Sequence, residues 1–143
     1  MKVKIINKSN NPLPEYKTSG SVGMDLRAYL PEGPINIAPM ERKLIPTGLF
    51  IELPENCEAT IRPRSGLSLK EGLVAILGTI DSDYIGELGI ILINLSNAMK
   101  TINSGDRIAQ LVCSKIVKME LEEVDKLTDS ERGTGGFGST GVK

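Results

Sequence analysis

The chain has no histidine. That absence removes the usual neutral-pH base, the histidine triads and the common zinc sites. Any chemistry must run on carboxylates, hydroxyls, backbone amides and a metal held mainly by oxygen. Tryptophan is missing too, and aromatics are only 3% of the residues. The two cysteines, Cys57 and Cys113, are few for a secreted disulfide scaffold and show no C-x-x-C spacing. They read as reduced, buried small hydrophobes in a cytoplasmic protein. No stretch approaches the ~20 apolar residues of a membrane span, and Met1 to Asn7 holds too short an apolar run for a signal peptide. A soluble intracellular protein with no membrane partner is expected. Lys and Arg number 17 against 18 Asp and Glu, with no long basic stretch. The electrostatic footprint of a nucleic-acid binder is therefore lacking, and no nucleic-acid partner is expected.

What is present is 143 residues, 40% of them hydrophobic, enough for one core. The apolar residues fall in short β-rich runs: Val3 to Ile6, Met24 to Tyr29, Ile35 to Ile37, Arg42 to Leu53, Glu58 to Arg62, Leu73 to Leu77, Gly89 to Leu95 and Arg107 to Lys118. Turn compositions such as Pro31-Glu32-Gly33-Pro34 and Asn103-Ser104-Gly105-Asp106 separate them. Only Ser65 to Glu71 suits one or two helical turns. This spacing favours an all-β sandwich, jelly roll or distorted barrel. Ile90 to Ile93 is apolar on both faces, which predicts cover on both sides and makes a subunit interface a natural one. A barrel domain over 1–127 is expected, followed by a glycine-rich arm over 128–143 that has little to bury and should be mobile without ligand.

Five segments carry chemistry. In Gly78 to Leu88, two acids and Tyr84 sit on a glycine-bounded turn between apolar strands. Asp81 and Asp83, two apart, share a face if the backbone is extended; the alternative is an ordinary polar hairpin loop. In the arm, Gly133, Gly135 and Gly138 satisfy G-x-G-x-x-G, but no strand enters and no helix can follow, so a dinucleotide fold is excluded. What remains is bare backbone N–H groups, the Ser139 and Thr140 hydroxyls, Arg132 as a forked cation and Phe137 as a stacking surface. A disordered glycine-rich end is the competing reading. Arg62-Pro63-Arg64-Ser65-Gly66 suits a phosphate, or else a surface ion-pair strand. Gln110 among apolar neighbours needs a hydrogen-bond partner if buried, and Asp25 lies just inside an early strand.

In this order the segments resemble the five motifs of the trimeric dUTP nucleotidohydrolases (dUTPases): Ser21 to Leu26, Arg62 to Leu67, Gly78 to Gly86, Gly105 to Gln110 and Arg132 to Gly138. The resemblance implies an antiparallel β-barrel resembling a jelly roll, a homotrimer with three interfacial active sites, and hydrolysis of dUTP to dUMP and pyrophosphate with Mg²⁺. That reaction keeps uracil out of DNA and supplies dUMP for thymidylate synthesis. Carried over residue by residue, Asp81 is the general base for the water that attacks the α-phosphorus, and Tyr84 packs on the deoxyribose. The backbone near Gly78, Thr79 and Ile80 reads uracil, and Arg64, Ser65, Gly66 and Gln110 hold phosphates. Arg132, Phe137, Gly138 and Ser139 close over the nucleotide, and Asp25 meets magnesium through water. Glu71 to Gly78 is shorter than the matching stretch of many bacterial members and lacks their asparagine, so uracil readout is expected to lean on the Gly78 backbone. A dCTP deaminase-like enzyme and a non-catalytic nucleotide-binding barrel are the alternatives. Pyrophosphate or ammonia release separates them.

Overall fold

A computed structural model describes residues 1–136. Ten strands and one short helix follow in the order β1 Lys4–Asn7, β2 Met24–Arg27, β3 Ile35–Ile37, β4 Arg42–Glu52, β5 Cys57–Arg62, α1 Ser65–Glu71, β6 Leu73–Ala75, β7 Gly78–Ile80, β8 Glu87–Asn94, β9 Lys100–Ile102 and β10 Arg107–Lys115. They form two four-stranded sheets, β1-β4-β8-β6 and β2-β10-β5-β7, and a two-stranded ribbon, β3-β9. Every pairing is antiparallel. The fold is the expected all-β, jelly-roll-like one.

Alternation explains why these runs became strands. Along β8, Leu88, Ile90 and Leu92 point inward and are fully buried, while Ile91 between them is 44% exposed. The inward rows of the two large sheets, with Leu26, Ile45, Ile108 and Ala109, make one core. Asn94 ends β8 inside that core and is fully satisfied: its Nδ2 donates to the Ile37 and Ala98 carbonyls, and its Oδ1 accepts from the Ser96 N–H and hydroxyl. The outer face of β8 is apolar as well. Ile91 stands opposite Leu44 of β4, which is 65% exposed, so the single chain leaves that face open.

Two strands went unread in the sequence, β7 and β9. Each is three residues long with a single large apolar residue, Ile80 or Ile102, so no alternation registers. β8 begins at Glu87 rather than Gly89, and β2, β6 and β10 end at Arg27, Ala75 and Lys115, short of the expected Tyr29, Leu77 and Lys118. β4 contains Pro46 because the ladder breaks there: its pairing with β8 shifts register between Pro46 and Phe50. Gly48 sits in that bulge at φ 71, where an added Cβ would lie 2.8 Å from the Ser9 nitrogen. Only glycine fits.

Candidate active site

Three of the five segments converge on one row. Asp25 of β2 stands opposite Gln110 of β10, which stands opposite Arg62 of β5. The Asp25 carboxylate holds two arginines, Arg64 Nε on Oδ1 and Arg107 on Oδ2, both at 3.0 Å. Arg64 also donates to the Arg107 carbonyl at 2.7 Å. Its fork is thereby fixed in direction rather than left waving in solvent. The Gln110 amide donates to the Pro63 carbonyl at 3.0 Å, which answers its need for a partner. At Gly23 a Cβ would come within 2.6 Å of the Gln110 Oε1, so a larger residue has to displace that amide. Ser65 and Gly66, just beyond, are exposed.

The remaining internal segment is built differently from its sequence reading. Gly78 to Ile80 is a strand, and the bend comes at Asp81 to Tyr84, where the Tyr84 N–H donates to the Asp81 carbonyl at 3.2 Å. Asp81 and Asp83 therefore lie on a turn, not on one face of an extended strand. Gly78 has ordinary strand backbone. The sharper steric demand is at Gly86, where a Cβ would meet the Tyr84 hydroxyl at 2.5 Å. The Tyr84 ring folds back over Gly86, and its hydroxyl donates to the Glu87 carbonyl at 2.8 Å. Beside this turn lies a cleft of about 310 Å³, walled by Leu44, Ile61, Leu77 and Ile91 and edged by Thr79 and Asp81.

The two clusters do not meet within a single chain. Ile80 pairs with Ala59 and Gly78 with Ile61, so the chain leaves β7 beside the Glu58 end of β5, whereas Arg64 follows the Arg62 end. Four residues at about 3.3 Å each separate those ends by about 13 Å. Arg132 is in a turn of its own, donating Nε to the Gly135 carbonyl at 2.8 Å. Phe137, Gly138 and Ser139 lie outside the described residues.

Among the described residues no three His, Cys, Asp or Glu side chains gather as a metal cage. Asp25 is a single oxygen donor, 21% exposed, with one arginine on each oxygen. A carboxylate offers about four lone-pair positions, so each oxygen still has room for one metal-bound water. That suits Mg²⁺ held from outside its water shell and not within a protein cage. Sequence reasoning placed Gly23, Arg107 and Glu87 inside its segments but gave none of them a role.

A protein-family model described as dUTPase matches residues 9–141. The chain belongs to the dUTPase family. A deoxyuridine 5'-triphosphate nucleotidohydrolase from Finegoldia magna is 58% identical to this chain over 99% of each, and one from Cytophaga hutchinsonii is 56% identical over 97% of this chain and 91% of its own. Among solved structures, a dUTPase of Staphylococcus bacteriophage 80alpha with dUpNHpp superposes with a TM-score of 0.91 at 29% identity, covering 99% of both chains. A mutant dUTPase from phage phi11 of S. aureus, described with a structural Mg(II) ion, gives a TM-score of 0.81 at 25% identity over 90% of this chain and all of its own. This dUTPase is a nucleotide hydrolase, and its reaction is the conversion of dUTP to dUMP.

Proposed function

We propose that this dUTPase acts as a homotrimer in which each site joins the Asp25–Arg64–Gln110 row of one subunit to the Asp81–Tyr84 turn of another. The observation that carries this is the separation of the two clusters along β5, since a base must lie within hydrogen-bond reach of the attacking water. The open Leu44 and Ile91 face supports the assembly, because an exposed apolar patch beside a functional cleft marks an interface. So does the stretch after β10, where Val117, Met119 and Leu121 alternate with charged residues and are each more than four-fifths exposed, a pattern that suits pairing on a sheet of another copy.

In this reading Asp81 accepts a proton from water as the water oxygen bonds to the α-phosphorus. The bond from that phosphorus to the bridging oxygen breaks and pyrophosphate leaves. Asp81 is exposed on its turn, and positioning against the water supplies most of the gain. Arg64, Ser65, Gly66 and Gln110 hold the triphosphate, and the tethered Arg64 fork offers directed N–H donors. β7 is an edge strand, so the backbone of Gly78, Thr79 and Ile80 has an unpaired side whose alternating N–H and C=O groups complement the acceptor-donor-acceptor edge of uracil. Tyr84 covers the deoxyribose and leaves no space for a 2′-hydroxyl. Asp25 would hold Mg²⁺ through water, and the ion would supply neutralisation of phosphate charge. The 128–143 arm, with Arg132, Phe137, Gly138 and Ser139, closes over the nucleotide. The free thiols at Cys57 and Cys113 fit a reducing, cytoplasmic setting.

Two measurements test this. Pyrophosphate release from dUTP, with ammonia release from dCTP as control, tests the chemistry. Sedimentation of the active species tests the assembly: a catalytically competent protomer would overturn the shared site.

A further inference from the structure

Glu87, the first residue of β8, is joined to Tyr84 on one side and to the β4 bulge on the other. Its side-chain Oε1 accepts two backbone N–H groups, from Thr47 at 3.2 Å and Gly48 at 2.7 Å. These are two of the three amides that the register break between Pro46 and Phe50 frees from the ladder with β8. Meanwhile the Glu87 carbonyl accepts the Tyr84 hydroxyl. The bulge itself is firmly held. The buried Thr47 hydroxyl donates to the Leu88 carbonyl at 2.6 Å, the Leu49 N–H donates to Thr47 Oγ1, and the Lys8 N–H donates to the Gly48 carbonyl at 2.7 Å.

We infer that Glu87 is a positioning residue for the sugar-discriminating wall: its carboxylate ties the end of the catalytic turn to the β4 bulge and so fixes where the Tyr84 ring stands. The inference rests on the reading of Tyr84 as the surface that excludes a 2′-hydroxyl. Exclusion by a wall works only if the wall cannot yield, because a ring free to retreat by about 1 Å admits the extra oxygen. Neither bond made by Tyr84 to its own turn supplies that rigidity. Both are local, within Asp81 to Glu87, and would travel with the turn if it swung. The Glu87 carboxylate crosses to β4 at the bulge itself, adding a side-chain tie to the backbone pairing of Glu87 with Phe50. A charged acceptor shared by two N–H groups is also among the stronger hydrogen bonds available at a half-buried site.

The test compares kcat/KM for dUTP with that for UTP. Glu87→Ala should lower this ratio about tenfold, chiefly by raising turnover of UTP. Glu87→Gln retains Oε1 as an acceptor for both N–H groups and should retain the ratio. On a Tyr84→Ala background, Glu87→Ala should change the ratio no further, which a merely structural residue would not obey. Should Glu87→Ala fail to fold, Tyr84→Phe keeps the ring, loses only the bond to the Glu87 carbonyl and should lower the ratio by a smaller factor. An unchanged ratio in the Glu87→Ala enzyme, or in Tyr84→Phe if that enzyme does not fold, overturns the inference. Asp81→Asn run in parallel separates the two readings: if it abolishes hydrolysis while the Glu87 variants leave the ratio untouched, only the positioning role falls. If Asp81→Asn stays active, the catalytic assignment of the turn falls first.

Discussion

Asp81 and Arg64 stand at opposite ends of β5. The carboxylate follows Ile80, whose partner on β5 is Ala59, and the guanidinium follows Arg62, whose partner on β10 is Gln110. A proton acceptor on the attacking water and a cation on the triphosphate must lie within a few ångströms of one phosphorus chain. A single chain holds them apart.

Asp81→Asn should fold with an unchanged melting temperature, because the side chain is exposed on a turn held by backbone. The amide cannot take the water's proton. Hydrolysis of dUTP should drop by at least about a hundredfold while dUpNHpp still binds. Calorimetric binding and a pyrophosphate assay on the same preparation check both halves, and retention of a tenth of the activity would remove Asp81 from the role of base.

Met40→Gly should stabilise the protein. Met40 is the one non-glycine residue at positive φ among those described, at 62°, and it is 67% exposed, so its side chain loses little packing when removed. The left-handed conformation costs an ordinary residue roughly 1–2 kcal/mol, of which the greater freedom of unfolded glycine returns part. A net gain of about 0.5–1 kcal/mol corresponds to a rise of about 1–4 °C in melting temperature at fixed protein concentration. A fall would show that the Met40 side chain packs on something outside this protomer.

Cys113 should be slow to alkylate. Burial pushes its thiol above the ordinary range, and the neighbouring Cys57 adds to the effect. The thiolate is the nucleophile, so iodoacetamide at pH 8 should modify Cys113 more slowly than free cysteine, with the rate still climbing past pH 9. Because the folded value is the raised one, the stability it contributes is present below the unfolded thiol value of about 8.5 and fades as pH rises through the folded one. Peptide mass mapping against time gives the rates; modification as fast as free cysteine would contradict the burial.

Much of this was legible in the sequence, and the remainder failed for identifiable reasons. The apolar runs of β8 and β10 announced strands, and Asp81, Tyr84, Arg64 and Gln110 stood out as chemical residues in apolar or glycine-rich settings. What alternation cannot give is register across distant strands. Arg107 reaches Asp25 only because β2 pairs with β10, residues 82 apart in sequence. Gly23 reads as turn material until the Gln110 amide is seen above it. Glu87 stood in the run Gly78 to Leu88 without a role, since nothing in its neighbours announces a bulge forty residues earlier. The division of the site into two clusters was equally hidden, because it depends on which end of β5 the three-residue β7 joins.

That division leads to a prediction about mixtures. Arg64→Ala removes the phosphate cation from one cluster, and Asp81→Asn removes the base from the other, so each variant alone should be inactive. If a site takes its row from one subunit and its turn from the next, a mixed ring holds sites whose row comes from an Asp81→Asn chain and whose turn comes from an Arg64→Ala chain. Both parts of such a site are intact. Random assortment after unfolding and refolding an equal mixture makes about one site in four of this kind. Activity near a quarter of wild type should therefore appear in the refolded mixture and be absent when the two separately refolded variants are simply combined. Because Arg64→Ala also leaves Asp25 with one cation fewer, its fold is checked by circular dichroism before mixing. A well-folded mixed trimer with no recovered activity would mean that both clusters serve the same subunit through a rearrangement of β7, and the shared site would be wrong.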